Sequence, residues 1–161
     1  MKSKTERMHF PHKLYILMRN DLPSMNNGKA MAQAAHAAND FVYRFGEVLP
    51  AVTEDWMSKD YPFGTTIVLA VDQYVLNERI KSAAAKSGVP CGFVWDQTYP
   101  YTVANKELAD LIDIRHHTAP YVVKENGSVI MFRNEVTCGY IFVVDGSSNQ
   151  EELVGDLSLL C

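Results

Sequence analysis

The feature that most constrains the fold is the stretch from residue 14 to residue 40, where an apolar run leads through a polar loop into an alanine-rich segment. The apolar run Leu14–Met18 is typical of a strand, and the loop after it is rich in turn residues. Because alanine is the best helix former, the next segment predicts a helix over 28–45. The first N–H groups of a helix lack partners within it and attract negative charge, so this junction is a favourable place for a functional site.

The predicted helix has two unlike faces. At roughly 100° per residue, Lys29, Gln33, His36 and Asp40 fall within about 60° of one another. The opposite face, predicted to be buried, holds Met31, Ala34, Ala35, Ala38, Phe41 and Val42. A polar helix face is most often simply solvated. The alternative is that a lysine, an amide and an imidazole are presented together to a ligand.

The Gly28-Lys29 pair does not belong to a Walker phosphate loop. Such a loop has a glycine five residues before the pair and a serine or threonine after it. Pro23 and Ala30 occupy these two positions. A nucleoside-triphosphate site of that type is therefore excluded.

Strands and helices alternate along the rest of the chain. We predict strands at 12–18, 65–71, 91–96 and 136–145, and helices at 28–45, 49–57, 73–86 and 150–160. This alternation predicts an α/β fold, a three-layer sandwich with a mixed, mostly parallel four-stranded sheet and helices on both faces. Residues 104–134 are predicted to form an insert, with a helix at 105–114 and a β-hairpin of 121–123 and 128–132 around Asn126-Gly127.

Length and composition predict a single globular domain, preceded by a mobile lead-in at 1–11. The net charge of −4 does not indicate a nucleic-acid binder. The three cysteines lack metal-ligand spacing, and their odd number argues against a disulfide framework, which fits a reducing cytoplasm. His116 and His117 have no third ligand at a suitable spacing, so no metal site is predicted. The sequence has no apolar run long enough to span a membrane.

A specific motif fills the strand–loop–helix segment. The run Arg-Asn-Asp-Leu-x-x-Met-x-x-Gly-Lys-Ala-x-Ala-Gln-Ala-Ala-His-Ala-Ala starts at Arg19 and resembles the opening motif of the peptidyl-tRNA hydrolases of the second type, the archaeal and eukaryotic kind. The matching positions are Arg19, Asp21, Leu22, Met25, Gly28, Lys29, Ala32, Gln33, His36 and Ala37, in register without a gap. Asp96, at the end of the third predicted strand, matches the catalytic aspartate of this family. The resemblance covers residues 12–103 and 135–160.

The chain departs from the family after Asp96. Members usually continue with Ala-Gly and carry a threonine four residues after the aspartate, whereas Pro100 occupies that position here. Thr98 or Thr102 could supply the hydroxyl after a shift, and the sequence leaves both open. The insert at 104–134 is the second departure.

The resemblance implies hydrolysis of the ester that joins a peptide to the 3′ ribose of tRNA, in the cytoplasm and without a cofactor. It implies two catalytic residues. Asp96 is expected to orient or deprotonate water, and Lys29 to contact the carbonyl oxygen or the terminal phosphate. An ester requires no more than a carboxylate that positions water and a cation that stabilises the developing oxyanion.

The resemblance also implies how the substrate is held. Arg19, Gln33 and His36 are expected to bind the 3′ end of tRNA, with Thr98 or Thr102 as an auxiliary donor. Since cations are few, a small phosphate footprint centred on Arg19 and Lys29 is expected. tRNA is the expected partner, and a homodimer is allowed.

Two alternatives remain open. The first is a non-catalytic relative that binds RNA or a protein partner, which the acidic charge and the altered segment after Asp96 favour. The second is a hydrolase for another small ester or amide, with the insert reshaping the pocket.

Overall fold

The structure, a computed structural model, describes residues 12–57, 64–116 and 119–160, with the backbone alone at 112–116, 119 and 120. The strands are β1 His12–Arg19, β2 Thr66–Val71, β3 Cys91–Val103, β4 Ala119–Val123 and β5 Val129–Val144. The helices are α1 Asn27–Phe45, α2 Pro50–Trp56, α3 Gln73–Ala84, α4 Lys106–His116 and α5 Ser148–Val154. The predicted lead-in at 1–11 lies outside the described residues.

The five strands form one mixed sheet in the order β2-β1-β5-β3, with β4 also paired to β5. Only β1 and β2 pair in parallel, and the pairs β1–β5, β3–β5 and β4–β5 are antiparallel. The predicted α/β sandwich is confirmed, but the predicted mostly parallel pairing is wrong. β1, β2 and β3 do run in one direction, as helical crossovers require. β5 inserts between β1 and β3 in the opposite direction, which makes most pairs antiparallel.

Helices cover both faces of the sheet. The side chains of β1 point alternately into the two cores that result. On one face, Leu14 and Ile16 pack with Phe41 of α1 and Trp56 of α2. On the other face, Leu17 packs against the helices α3 and α5. Among the described residues, no helix combines the length and the hydropathy needed to cross a bilayer.

β3 and β5 extend well beyond this core. β3 therefore ends later, and β5 begins earlier, than predicted from the sequence. They remain paired as far as Val103 and Val129, where β4 joins β5. The predicted helix and Asn-Gly hairpin of the insert are confirmed: Gly127 adopts a φ of +79°, and Lys124 N donates to Ser128 O at 2.8 Å. The insert is therefore a continuation of the sheet with a small core of its own, which contains Ala109, Val129 and Met131.

α1 is rotated relative to the predicted orientation. Asn26 caps its first turn by accepting from Lys29 N at 3.0 Å. The residues buried against the sheet are Ala30, Gln33, Ala37 and Phe41. The predicted buried face is thus partly wrong, since Met31 is 66% exposed and Gln33 only 5% exposed. In this orientation the Gln33 amide contacts Asp96 of β3 and Thr137 of β5.

The predicted closing helix is shorter than expected. α5 ends at Val154, and the chain then runs along the outer edge of β2. Ala70 N donates to Ser158 O at 2.9 Å, and Leu160 N donates to Val68 O at 3.0 Å. These bonds satisfy backbone groups of an edge strand that would otherwise be open.

Candidate active site

Asp96 lies inside β3, between two irregularities of the sheet, and not at the end of a strand as predicted. Asp96 pairs with Glu135, and the next paired position on β3 is Tyr99, so Gln97 and Thr98 form a bulge. A second irregularity lies between Val94 and Trp95, opposite Thr137. β-bulges redirect side chains and often occur beside active sites. Here they direct both Asp96 and Thr137 toward Gln33 of α1.

The Asp96 carboxylate is held from two sides. Gln33 Nε2 donates to Asp96 Oδ2 at 3.0 Å. Thr98 donates to Asp96 Oδ1 twice, from its backbone N at 2.9 Å and from Oγ1 at 3.2 Å. Gln33 is oriented in turn by Thr137, whose Oγ1 donates to Gln33 Oε1 at 2.7 Å. A carboxylate can accept about four hydrogen bonds, so one acceptor position on Oδ2 is left for a water or a substrate group.

Lys29 lies one helical turn before Gln33. Its Nζ is 5.2 Å from the ring centroid of Tyr99, within the range of a cation–π contact. Tyr99 is three residues after Asp96 and only 1% exposed. Because Lys29 contacts Tyr99 and Gln33 contacts Asp96, the ammonium and the carboxylate lie on the same side of the sheet, between α1 and β3. The Tyr99 hydroxyl is buried beside the side chain of Ser24, whose own hydroxyl donates to Pro100 O at 2.9 Å.

Arg19 lies beneath this site and not on its surface. The residue is 4% exposed. Its guanidinium donates to both carboxylate oxygens of Asp21 (2.9 and 2.8 Å), to Glu135 Oε1 (2.6 Å) and to Val136 O (3.1 Å). Four of its five N–H donors are therefore committed within the protein. This arrangement joins the loop after β1 to β5 and turns Arg19 away from a ligand at the surface.

A charged cluster continues from Arg19 along β5. Glu135 Oε2 accepts from Tyr101 Oη at 2.6 Å and from Arg133 Nη2 at 2.8 Å. The Arg133 guanidinium also lies 4.0 Å from the Tyr101 ring centroid. Burial and the hydrogen bond to Glu135 raise the pKa of Tyr101 to about 12. The phenol therefore stays protonated and donates to Glu135 at neutral pH.

The pKa values of the two acidic groups around Arg19 are both lowered. Burial alone would raise the pKa of Glu135, but the hydrogen bond from Tyr101 and the charges of Arg133 and Arg19 outweigh it. Hydrogen bonds from Arg19 hold the pKa of Asp21 below its usual value. Both carboxylates are thus ionised at neutral pH and neutralise the buried guanidinium.

Sequence reasoning missed Glu135, Arg133, Tyr99 and Tyr101 as parts of the site. A signal for the first two was present, because Arg133-Asn-Glu interrupts a long apolar run, Val129 to Val144, that forms one strand. Charged residues within such a run indicate buried ion pairs. The two tyrosines carry no comparable local signal, since their contacts depend on the bulge after Asp96.

Two other predicted residues lie apart from the Asp96 carboxylate. His36 is exposed on α1, one turn beyond Gln33, and faces a groove that Trp95 also lines. Thr102 is exposed on the extension of β3, where it pairs with Ile130. Six residues of strand span about 20 Å, so the structure does not bring Thr102 to Asp96. Of the two candidate threonines, Thr98 is the one that contacts the carboxylate.

The arrangement is suited to hydrolysis assisted by a carboxylate. An oriented carboxylate with an open acceptor position can bind water, and a lysine on the same side of the sheet can stabilise negative charge that develops on a carbonyl oxygen. Within the described residues, no group of three or more histidine, cysteine, aspartate or glutamate side chains is placed to hold a metal ion.

Comparison with known proteins identifies the family. A search of curated proteins found no match. The family model for peptidyl-tRNA hydrolase PTH2 matches residues 12–106, which include β1, α1 and the whole of β3. This match covers more than half of the chain and every residue from Arg19 to Thr102 discussed above. The chain therefore belongs to the peptidyl-tRNA hydrolase PTH2 family.

Proposed function

We propose that this protein hydrolyses the ester bond of peptidyl-tRNA and releases peptide and free tRNA. The observation that carries the proposal is the Asp96 carboxylate, which is fixed by Gln33 and Thr98 with one acceptor position open on Oδ2. Membership of the PTH2 family supplies the substrate class. We further propose that the reaction takes place in the cytoplasm, where peptidyl-tRNA is formed by translation, and that tRNA is the partner. Homodimer formation stays a prediction.

Asp96 and Lys29 have distinct roles in the proposed reaction. Water bound at Asp96 Oδ2 is oriented toward the ester carbonyl and gives up a proton as it attacks. Lys29 stabilises the negative charge that develops on the carbonyl oxygen, or contacts the terminal phosphate of the tRNA. Asp96 accepts the proton of the attacking water; when the tetrahedral intermediate breaks the bond to the 3′ oxygen, Asp96 returns this proton to that oxygen, which leaves as the ribose hydroxyl. No cofactor is needed for these steps.

The other predicted site residues act mainly through these two groups. Gln33 and Thr98 position the Asp96 carboxylate, and Thr137 fixes the orientation of the Gln33 amide. Arg19 holds the loop after β1, so we assign it a positioning role in place of the direct substrate contact expected from the sequence. His36 remains available on the surface for the 3′ end of the substrate.

The test is turnover of a short peptidyl-tRNA, measured as release of labelled peptide. Asp96→Asn should lower kcat/KM by about a thousandfold and Lys29→Ala by about a hundredfold, as expected for loss of a general base and of an oxyanion contact. Asp145→Asn and Lys13→Ala are matched controls, since this ion pair at the opposite end of β5 has no role in the proposal. A wild-type protein without turnover would overturn the proposed reaction and favour a non-catalytic relative.

A further inference from the structure

Arg133 lies beyond the residues that the family model matches, on the extension of β5, yet its side chain reaches the proposed site. Tyr99 and Arg133 are paired positions of β3 and β5, so their side chains share one face of the sheet. Lys29 contacts Tyr99 on that face. Glu135, two residues further along β5, is paired with Asp96. Because two residues of a strand span about 7 Å, Arg133 lies next to the proposed reaction centre.

The guanidinium of Arg133 is held over the ring of Tyr101. Its Cζ atom is 4.0 Å from the ring centroid, and Nη2 donates to Tyr101 Oη at 2.9 Å and to Glu135 Oε2 at 2.8 Å. All hydrogen bonds from this guanidinium to the described residues come from Nη2. The side chain is nevertheless 38% exposed. Since Tyr101 covers one face of the guanidinium, the exposure belongs to the opposite face and to Nη1.

The charge of Arg133 is already balanced, which makes it a poor site for a phosphate. Glu135 pairs with both Arg133 and Arg19. Arg19 pairs in addition with Asp21. Two arginines and two carboxylates therefore form a cluster without net charge, and the carboxylate beside Arg133 repels an anion. Negative groups of the substrate are expected at Lys29 and the start of α1 instead.

A guanidinium that is fixed in one plane is well suited to contact a nucleobase. Bases of single-stranded RNA stack on aromatic rings and on the planes of arginine side chains. The contacts with Tyr101 and Glu135 fix the plane of Arg133 before a ligand arrives, so little side-chain entropy is lost on binding. Nη1 can in addition donate to an acceptor on the edge of the base.

Two tyrosine rings place Arg133 beside Lys29. The ring centroids of Tyr99 and Tyr101 are 5.4 Å apart, and the rings meet at an angle of 64°. The first ring contacts Lys29, and the second contacts Arg133. A nucleotide ester held at Asp96 therefore has a cation within reach of its negative groups and a planar surface within reach of its base.

We propose that Arg133, supported by Tyr101, binds the base of the nucleotide that carries the ester. The inference rests on the proposed function, and it adds a contact from a segment in which this chain departs from the family. It predicts that the base is recognised by the planar shape of the guanidinium and not by its charge.

The experiment measures the binding of two probes that resist hydrolysis, by isothermal titration calorimetry. One is an adenosine whose 3′ position carries an N-acetylaminoacyl group through an amide. The other has the same ribose and amide but lacks the base. Wild-type protein should bind the first probe about tenfold more tightly, as expected for one stacked base. Equal affinity for the two probes overturns the proposal, whether or not the protein hydrolyses peptidyl-tRNA.

Arg133→Ala and Arg133→Lys separate shape from charge. Both substitutions remove the guanidinium plane, and lysine retains a positive charge beside Glu135. Each variant should lose the preference for the probe with the base and keep wild-type affinity for the probe without it. Unchanged binding of the second probe also shows that the site is folded. If Arg133→Ala does not fold, Arg133→Lys carries the test, because it preserves the charge balance of the cluster.

Two results with these variants would overturn the proposal. If Arg133→Lys kept the preference for the base, the charge and not the plane would be recognised. If Arg133→Lys weakened both probes equally, Arg133 would only support the shape of the site. Arg79→Lys is the matched control, because Arg79 lies on α3 and pairs with Asp156 at 2.6 Å. It should retain the wild-type preference.

Discussion

The side-chain amide of Gln33 bridges Asp96 on β3 and Thr137 on β5, donating to the first at 3.0 Å and accepting from the second at 2.7 Å. One amide thus connects the proposed catalytic carboxylate to two neighbouring strands. The bridge also explains why a glutamine lies on the buried face of α1 among alanines. A polar side chain is tolerated there because both ends of its amide are hydrogen-bonded.

Gln33→Ala should therefore destabilise the fold, although Gln33 belongs to the polar stripe of the sequence. Loss of the amide leaves the Thr137 hydroxyl buried without its acceptor, and we expect the free energy of unfolding to fall by about 1–3 kcal/mol. His36→Ala is the matched comparison on the exposed side of the same helix and should cost less than about 0.5 kcal/mol. Urea denaturation measures both. Equal effects of the two substitutions would contradict the bridging role.

The contact between Lys29 and Tyr99 predicts that turnover depends on the aromatic ring of Tyr99 and not on its hydroxyl. Tyr99→Phe keeps the aromatic face under the ammonium and removes a buried hydroxyl whose neighbour, Ser24, already donates to Pro100 O. We expect near-wild-type kcat/KM and an unfolding free energy that is unchanged or higher by about 1 kcal/mol.

Tyr99→Leu is the complementary substitution. It retains apolar volume but removes the π face, so kcat should fall about tenfold while KM changes little, because Lys29 loses its orientation. Turnover of peptidyl-tRNA at saturating and limiting substrate separates the two parameters. A Tyr99→Phe variant as impaired as Tyr99→Leu would show that the hydroxyl, and not the ring, is required.

Glu135→Gln should be strongly destabilising, because it removes a negative charge that neutralises buried Arg19. Breaking one partner of a buried ion pair typically costs about 3–5 kcal/mol. Glu78→Gln is a suitable control, since Glu78 forms an exposed pair with Lys81 at 3.4 Å. Such a pair contributes less than about 1 kcal/mol. Thermal unfolding monitored by circular dichroism should show a large shift for Glu135→Gln alone.

Acid should destabilise the protein through the carboxylates around Arg19. The folded-state pKa values of Glu135 and Asp21 lie below the ordinary values of 4.5 and 3.8. Their contribution is therefore fully present above those ordinary values and is lost as the pH falls through the lower, folded-state values. Unfolding free energy measured against pH should decline below about pH 5, and less steeply in Asp21→Asn than in wild type. If the unfolding free energy of Asp21→Asn fell with pH as steeply as that of wild type, Asp21 would not contribute to the acid sensitivity.

Binding of tRNA should depend only weakly on salt. Apart from Lys29 and Lys124, every lysine and arginine whose side chain the structure describes forms an ion pair with a carboxylate. Arg19, expected from the sequence to contact phosphate, is among these paired residues and is buried. We expect a log–log slope of affinity against salt of roughly −1 to −2. Lys29→Ala should remove most of this dependence, and a slope near −6 would require a basic surface outside the described residues.

Local signals in the sequence predicted local structure well. The junction of β1 and α1 and the Asn126-Gly127 hairpin depend on neighbouring residues, and the structure confirms both. Asp96 and Gln33 illustrate the limit of such signals. Their mutual contact depends on a bulge in β3, on the rotation of α1 and on Thr137, which lies 104 residues from Gln33 along the chain. Helical periodicity alone places Gln33 with His36 on a solvated face, because it contains no information about remote partners.

The position of β5 between β1 and β3 has a consequence for the order of events during synthesis. All of the residues proposed here to contact the ester lie between residues 19 and 98, and they leave the ribosome early. In the described part of the chain, β1 and β3 do not pair with each other, and each pairs with β5, residues 129–144. A nascent chain that stops before residue 129 thus carries the proposed catalytic groups without the strand that brings them together. We therefore expect the proposed activity to appear only after β5 has been made and has paired with both strands.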